Sequence, residues 1–425
     1  VKALLTSFDL LLIVSAFLIM GVGLARRWSL WREKKPAGVS ADWKGMLESV
    51  LAQRDVLKRP SVGNPHLAVF WGVVVPLVVI LLAQFGFVIP HAPAAVLSLV
   101  QDLAGLALLV GTVWLLLRRV MRFYVEEPPP GTYLPIIVLL VILLSGFLAE
   151  GARLRILEAG GLPWESPVGW FFSFASPASP VFMQMMIRLH FFGVLFLIAA
   201  LPYTFLRHAV ASPLNVAYRK RGPRAALTSP SLEKGAVGAR TVNDLDWKQL
   251  LDAEACTACG RCDENCPALI SGKPLSPRKV IRDIRRQAET VAAARRRSGN
   301  GSSPPLLETD VTPPEMWACT SCMACVEHCP VAVEPLDKII DMRRHQVMDE
   351  ARLPSEARPM IRDLELYGDV QGKGAAHRTD WAMNRGVPRL AGMAAAGDTQ
   401  IDLLLYVGCS GAYHPRGQET SRSMA

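Results

Sequence analysis

Cys256, Cys259, Cys262 and Cys266 follow one another as C-x2-C-x2-C-x3-C, with Pro267 next. The same spacing returns at Cys319, Cys322, Cys325 and Cys329, again followed by a proline, Pro330. Eight of the nine cysteines lie in these two runs. Three thiolates two residues apart can wrap a short turn around one iron–sulfur cubane, while the fourth, held off by its proline, points to another. The expected wiring is therefore crossed. Cys256, Cys259, Cys262 and Cys329 hold one [4Fe-4S] cluster, and Cys319, Cys322, Cys325 and Cys266 hold a second. Structural zinc favours two C-x2-C pairs and would leave four of the eight thiolates unexplained. Disulfides fit poorly with cysteines this close in sequence on a segment expected in the cytoplasm. The chemistry these residues imply is the movement of single electrons.

The elements that must carry them divide the chain in two. It has 425 residues, 51% of them hydrophobic, and a formal charge of +9; the mean hydropathy is +0.26, high for a soluble protein of this size. Five apolar runs, at 4–25, 66–88, 94–117, 133–152 and 181–207, each approach the ~20 residues that a bilayer-spanning helix needs. The first lacks a cleavage site and is followed by Arg26 and Arg27, so it reads as an anchor with the N-terminus outside. Nine Lys and Arg residues lie between Arg26 and Pro65, and Arg118, Arg119 and Arg122 follow the third run. Arg207, Arg219, Lys220, Arg221 and Arg224 follow the fifth, whereas 89–93 has no basic residue and 153–180 has only Arg153 and Arg155. Positive charge stays on the cytoplasmic side, which places the cysteine-rich half there, at a bacterial-type inner membrane. The basic balance is thus topological, and no nucleic-acid partner is expected.

Histidines supply the second signal. His190 and His208 are eighteen residues apart on the fifth run. As one continuous helix this is five turns, which puts both imidazoles on one side, about 27 Å apart along the axis. His66 opens the second run at the same cytoplasmic depth as His208, an arrangement suited to bis-imidazole ligation of haem b. His190 is a candidate for a second, outer haem, but the level matching it on the second run carries Pro76. His91, in the IPHAP turn, is the other candidate partner. Polar groups inside spans invite functional readings. Glu150 with Arg153 reads as an ion pair one turn apart, with a quinone pocket or haem-propionate contact as the alternative; Gln101 and Asp102 are further candidates.

The runs NPHLAVFWG, SGFLAEGARL and RLHFFGVLFLIAALPYTFLRHAVASPLN, across about 66–215, resemble the haem b membrane subunit of respiratory nitrate reductase. That resemblance implies two haems held by histidine pairs. The departure at Pro76 bears on the outer one and leaves the inner intact.

Downstream, 211–250 reads as a linker, 251–350 as a two-cluster ferredoxin-type domain with a basic amphipathic helix over 276–297, and 351–400 as an irregular connector. IDLLLYVGCSGAYHPRG, at 401–417, reads as a short buried strand ending at Cys409. With WACTSCMACVEHCP and DMRRH, this segment resembles the iron–sulfur subunit of membrane heterodisulfide reductase and its relatives. In that family such a strand opens a cysteine-rich α/β domain with a further cluster or thiol site, for which Cys409 is the first ligand candidate. Either the chain is truncated at Ala425 or another polypeptide completes the domain.

The fold expected is therefore mainly α: a five-helix transmembrane haem b bundle over 1–210, a cytoplasmic two-cluster domain, and the start of a cysteine-rich α/β domain. Fusion of these modules resembles the electron-transfer-flavoprotein:quinone oxidoreductases of this superfamily. It implies electron transfer between a cytoplasmic partner (an electron-transfer flavoprotein or an iron–sulfur/flavin subunit) and membrane quinone. The alternatives are thiol–disulfide reduction of a heterodisulfide, or a non-catalytic anchor and conduit for a separate enzyme.

Overall fold

The computed structural model describes residues 6–31, 40–84, 94–121, 133–157, 164–222, 227, 237–298, 303–307, 309–397 and 400–425. The chain forms two compact units, Val1–His345 and Gln346–Ala425. Both are helical, and the described residues contain no strand, only an isolated bridge between Leu307 and Val311.

In the first unit, five helices are long and apolar enough to cross a membrane: α1 Ser7–Trp31, α4 Pro60–Gln84, α5 Ala94–Val120, α6 Tyr133–Ile156 and α8 Pro180–Ala200. Many of their large apolar side chains face outward, as lipid surroundings require. Between them lie the short helices α2 Trp43–Ala52, α3 Arg54–Leu57 and α7 Pro167–Ser173. Small residues set the close approaches. A methyl group added at Gly72 would meet Leu108 at 2.6 Å, and one at Gly111 would meet the Pro65 carbonyl at 2.7 Å, so α4 and α5 pack almost backbone to backbone.

The fifth run departs from the continuous helix expected of it. Helix α8 stops at Ala200; two 3-10 turns, Leu201–Tyr203 and Phe205–Arg207, follow, and a new helix, α9, spans His208–Ala217. Pro202 has no N–H to continue the ladder, and Thr204 is extended, bonding back to Ala200 O through both its N–H and its hydroxyl (3.1 and 3.0 Å). His190 and His208 therefore sit on different helices, and the five-turn argument relating them does not hold. The boundary drawn at 210/211 falls inside α9.

Polar residues of the spans have structural partners. Glu150 pairs with Arg153 at 2.6 Å and accepts from Ser166 Oγ at 3.1 Å. Asp102 accepts from the amides of Val168 (2.7 Å) and Gly169 (3.1 Å), capping the start of α7.

Helices α10 Trp247–Ala255, α11 Arg261–Glu264, α12 Pro267–Ile270, α13 Pro277–Ser298, α14 Pro313–Trp317, α15 Ala324–Glu327 and α16 Pro335–Arg344 build the cysteine-bearing part. Ser276 caps α13 by accepting from Lys279 N–H at 3.0 Å, as its sequence suggests. The core runs through Leu245, Leu251, Val280, Ile284, Met316, Ile339 and Met342, with Ala211 of α9 inside it.

A buried charge triad ties α10 to α16. Asp252 takes Lys248 Nζ at 2.6 Å on one oxygen and Lys338 Nζ on the other, and all three are at most 3% exposed. Burial alone would raise the Asp252 pKa, but the two ammonium groups outweigh it and hold it at about 2, below the ordinary 3.8. Asp252→Asn removes the one carboxylate that both buried ammonium groups contact and is expected to cost about 3–5 kcal/mol, read as a lowered denaturant midpoint. A depressed folded pKa means the carboxylate stabilises above its ordinary value and loses this as pH falls toward about 2. The gap between variant and parent should accordingly narrow between those pH values; a constant gap would refute the assignment.

The second unit corrects two expectations. The stretch 351–400 is not irregular throughout: α17 Ala357–Tyr367, a 3-10 segment Ala375–Ala382 and α18 Leu390–Ala395 form within it. The strand expected before Cys409 is not formed, because among the described residues no neighbouring segment pairs with it; Leu403 and Tyr406 are 84% and 86% exposed. Cys409 instead opens a short helix, α19 Cys409–Tyr413, followed by α20 Pro415–Met424.

Candidate electron-transfer site

The two cysteine motifs fold as repeats. Ala258 and Ser321, each just before a second cysteine, have φ of 54° and 56°; Gly260 and Met323, each just after it, have φ of 82° and 64°. Only glycine takes this left-handed conformation freely. A methionine there costs about 1–2 kcal/mol, which the structure sustains where the loop must curl its thiols inward. Short helices α11 and α15 then carry the third cysteine of each run, and the turns after them deliver the fourth.

The thiols gather across motifs. Burial pushes the Cys262 thiol up, followed by Asp263, Cys256, Cys259 and Cys329 as neighbouring negative charges. Burial likewise raises Cys325 to about 12, with Cys319, Cys266 and Cys322 adding to it. Cys329 is also pushed to about 12, by burial and then by Cys259 and Cys256, against two backbone amides that favour its thiolate. Cys329 thus lies near Cys256, Cys259 and Cys262, and Cys266 near Cys325. All are free thiols. Crowded thiols such as Cys262, Cys325 and Cys329, whose burial favours the protonated form, suit a polycationic centre, whose binding drives off the protons. Amides from Ser321 to Cys319 Sγ (3.4 Å) and from Val333 to Cys329 Sγ (3.2 Å) add the N–H···S bonds that tune such centres.

The two foursomes face different surroundings. Cys322 is exposed, the only such member of the eight. Around the Cys256 set the chain is tied to the short segment that leads into α4. Arg261 donates to the carbonyls of Asp55 (2.6 Å) and Val56 (2.7 Å) in α3, and Glu264 pairs with Arg59 at 2.7 Å. Arg343 serves the other loop, donating to Met316 O (2.8 Å) and Cys319 O (2.7 Å) while stacking on Trp317.

His66, on α4, and His208, first residue of α9, bring their ring centroids to 6.4 Å with planes inclined at 54°. Two axial imidazoles on one metal, each with a bond of about 2.0–2.1 Å and about 1.1 Å more to the ring centre, require nearly this separation. His208 Nδ1 lies 2.7 Å from Phe205 O, so it donates there and leaves Nε2 as the free ligand nitrogen. His66 Nδ1 is buried with no hydrogen-bond partner. The pair fits an axial haem site. His190 is placed differently: its Nδ1 is 2.8 Å from Ile142 O, and Gly146 makes room for the ring. No second imidazole meets it among the described residues, and His91 lies outside them. In the second unit, Cys409 Sγ is 3.8 Å from Arg378 Nη1 and shares the unit with no other cysteine.

The residues that sequence reasoning missed are Arg261, Arg343, Ser212 and Asn215. They act on backbone carbonyls, which leave no signature in a sequence.

Residues 255–333 match the family model described as a 4Fe-4S dicluster domain, so this part carries [4Fe-4S] chemistry rather than zinc or disulfides. The EtfAB:quinone oxidoreductase of Syntrophomonas wolfei is 30% identical over 417 residues, covering 88% of this chain and 58% of that protein. The probable iron-sulfur-binding oxidoreductase FadF of Bacillus subtilis is 28% identical over 434 residues, covering 89% and 60%. One polypeptide of the dihydromethanophenazine:CoB–CoM heterodisulfide reductase of Methanosarcina barkeri is 30% identical over 189 residues, 42% of this chain and 66% of that polypeptide. The chain spans about three-fifths of the length of the first two relatives. No solved structure matches it. With five apolar helices, these relatives fit a membrane-anchored iron–sulfur protein related to quinone-linked oxidoreductases and heterodisulfide reductase subunits.

Proposed function

We propose that this chain carries single electrons between a redox partner at the cytoplasmic face and membrane quinone. Cys256, Cys259, Cys262 and Cys329 would hold one [4Fe-4S] cluster, Cys319, Cys322, Cys325 and Cys266 the other, and His66 with His208 a haem b. When bound, these groups supply three one-electron carriers. The observation that carries the reading is α9: a ten-residue helix that begins at His208 and packs Ala211 and Leu214 into the core that also holds Cys256 at its edge. The exposed Cys322 marks the opposite set as the side open to a partner, which suits a flavoprotein or iron–sulfur/flavin subunit. That exposure also supports the conduit reading, in which a separate subunit performs the catalysis. One haem is proposed; His190 lacks a partner imidazole among the described residues.

To test the function, dithionite-reduced protein in detergent is mixed with a short-chain quinone. Reoxidation of the iron–sulfur absorbance is expected in the parent and not in His208→Ala; a parent that stays reduced would rule out the quinone link. Orientation is tested apart. Basic residues at Arg59, Arg118, Arg119 and Lys220 support a cytoplasmic cluster domain in an inner membrane. A reporter fused after Lys220 should read cytoplasmic and one at Glu165 external, and the reverse pattern would invert the topology.

A further inference from the structure

Helix α9 is bonded to the Cys256 set along its length. His208, Ser212 and Asn215 stand at i, i+4 and i+7, on one face of the helix. Ser212 Oγ donates at 3.1 Å to the carbonyl of Ala255, immediately before Cys256. Asn215 Nδ2 donates to Val331 O (2.8 Å) and Ala332 O (3.0 Å), just beyond Cys329. Ser212 is 6% exposed and Asn215 0%. At the head of the helix, Arg207 lies 3.7 Å from Glu254, which also receives Arg27 of α1 at 3.0 Å.

We propose that α9 is a rigid strut in which Ser212 and Asn215 are positioning residues, fixing the orientation of the His208 imidazole by anchoring it to the backbone on both sides of the Cys256 set. This deepens the electron-transfer reading and rests on it. A ten-residue helix held at its head, middle and tail moves as one body, so a displacement at Asn215 reaches His208. The ring has little freedom to absorb it, because Nδ1 is held by Phe205 O and the ring stacks on the Phe205 side chain at 5.8 Å. The relative orientation of two axial imidazoles governs the rhombic splitting of a ferric low-spin haem, so a change imposed at the cluster end is legible at the haem end.

The test uses the full chain in detergent as Ser212→Ala, Ser212→Thr and Asn215→Asp, with haem content, iron content and the ferric low-spin EPR spectrum measured on each. Ser212→Ala and Asn215→Asp should keep haem and iron at the parent level while their low-spin g-values shift. The shift should be larger for Asn215→Asp, which sets a carboxylate against two carbonyl oxygens. Ser212→Thr keeps a hydroxyl and should restore the parent spectrum, which loss of stability alone would not explain. Parent g-values in Ser212→Ala with both cofactors retained would overturn the strut. Should Asn215→Asp fail to fold, Ser212→Ala, which loses one hydrogen bond, decides. A parent protein without low-spin haem would overturn the haem reading and the strut with it, so the two failures are told apart.

Discussion

Replacing either His66 or His208 with alanine is expected to abolish the low-spin b-type haem spectrum while leaving the iron–sulfur absorbance at its parent level. The two rings stand 6.4 Å apart, and among the described residues neither variant leaves a replacement imidazole in reach: His190 is bonded to Ile142 O on α6. Outer groups that orient a ligand do not replace it. The cysteines sit on separate loops, and truncating either ring leaves Ala211 of α9 and the rest of their core in place, so cluster content should not follow haem content. Both single variants retaining a full haem complement would show that the pair is not the axial site, and the membrane helices would then be better read as an anchor. His190→Ala supplies the control, since a single-haem protein should lose none of its low-spin signal.

The second large effect separates crossed from local wiring. Cys329→Ser is expected to lower iron from about eight to about four atoms per chain and to remove the same cluster that Cys262→Ser removes. Cys266→Ser should instead match Cys325→Ser. If each motif held its own cluster, the pairs would exchange: Cys329→Ser would match Cys325→Ser by EPR of the dithionite-reduced protein. The thiol neighbours of Cys262 and Cys325 support the crossed outcome.

How much of this could be read beforehand depended on how far each signal rests on residue type. The apolar runs were legible because a membrane helix is defined by composition over a fixed length, and all five formed. The cysteine motifs were legible because spacing limits which thiols can share a turn, and they fall within the 4Fe-4S dicluster match. The closeness of His66 and His208 was expected from a continuous fifth helix, and it is present although that helix breaks at Pro202 and Thr204. Matching depth was the sound part of that argument, and the count of turns was not. The segment 401–408 shows a different failure. Its apolar alternation suits a strand, but a strand exists only with a partner, and a single run cannot say whether one is there. Least legible were Asn215 and Arg261, whose partners are carbonyls of Val331, Ala332, Asp55 and Val56. Any residue could have offered those oxygens.

The proposed exchange of the fourth thiol between motifs would have a consequence for biosynthesis. Cys256, Cys259 and Cys262 leave the ribosome first, but the thiol that would close their set is Cys329, the last of the eight in the chain. The other set draws on Cys266 and must likewise wait for residues 319–325. Neither centre can be completed on a nascent chain that ends between the motifs, although all five membrane helices have been translated by then. On that wiring, iron delivery to either centre would come only after all five apolar helices have been translated.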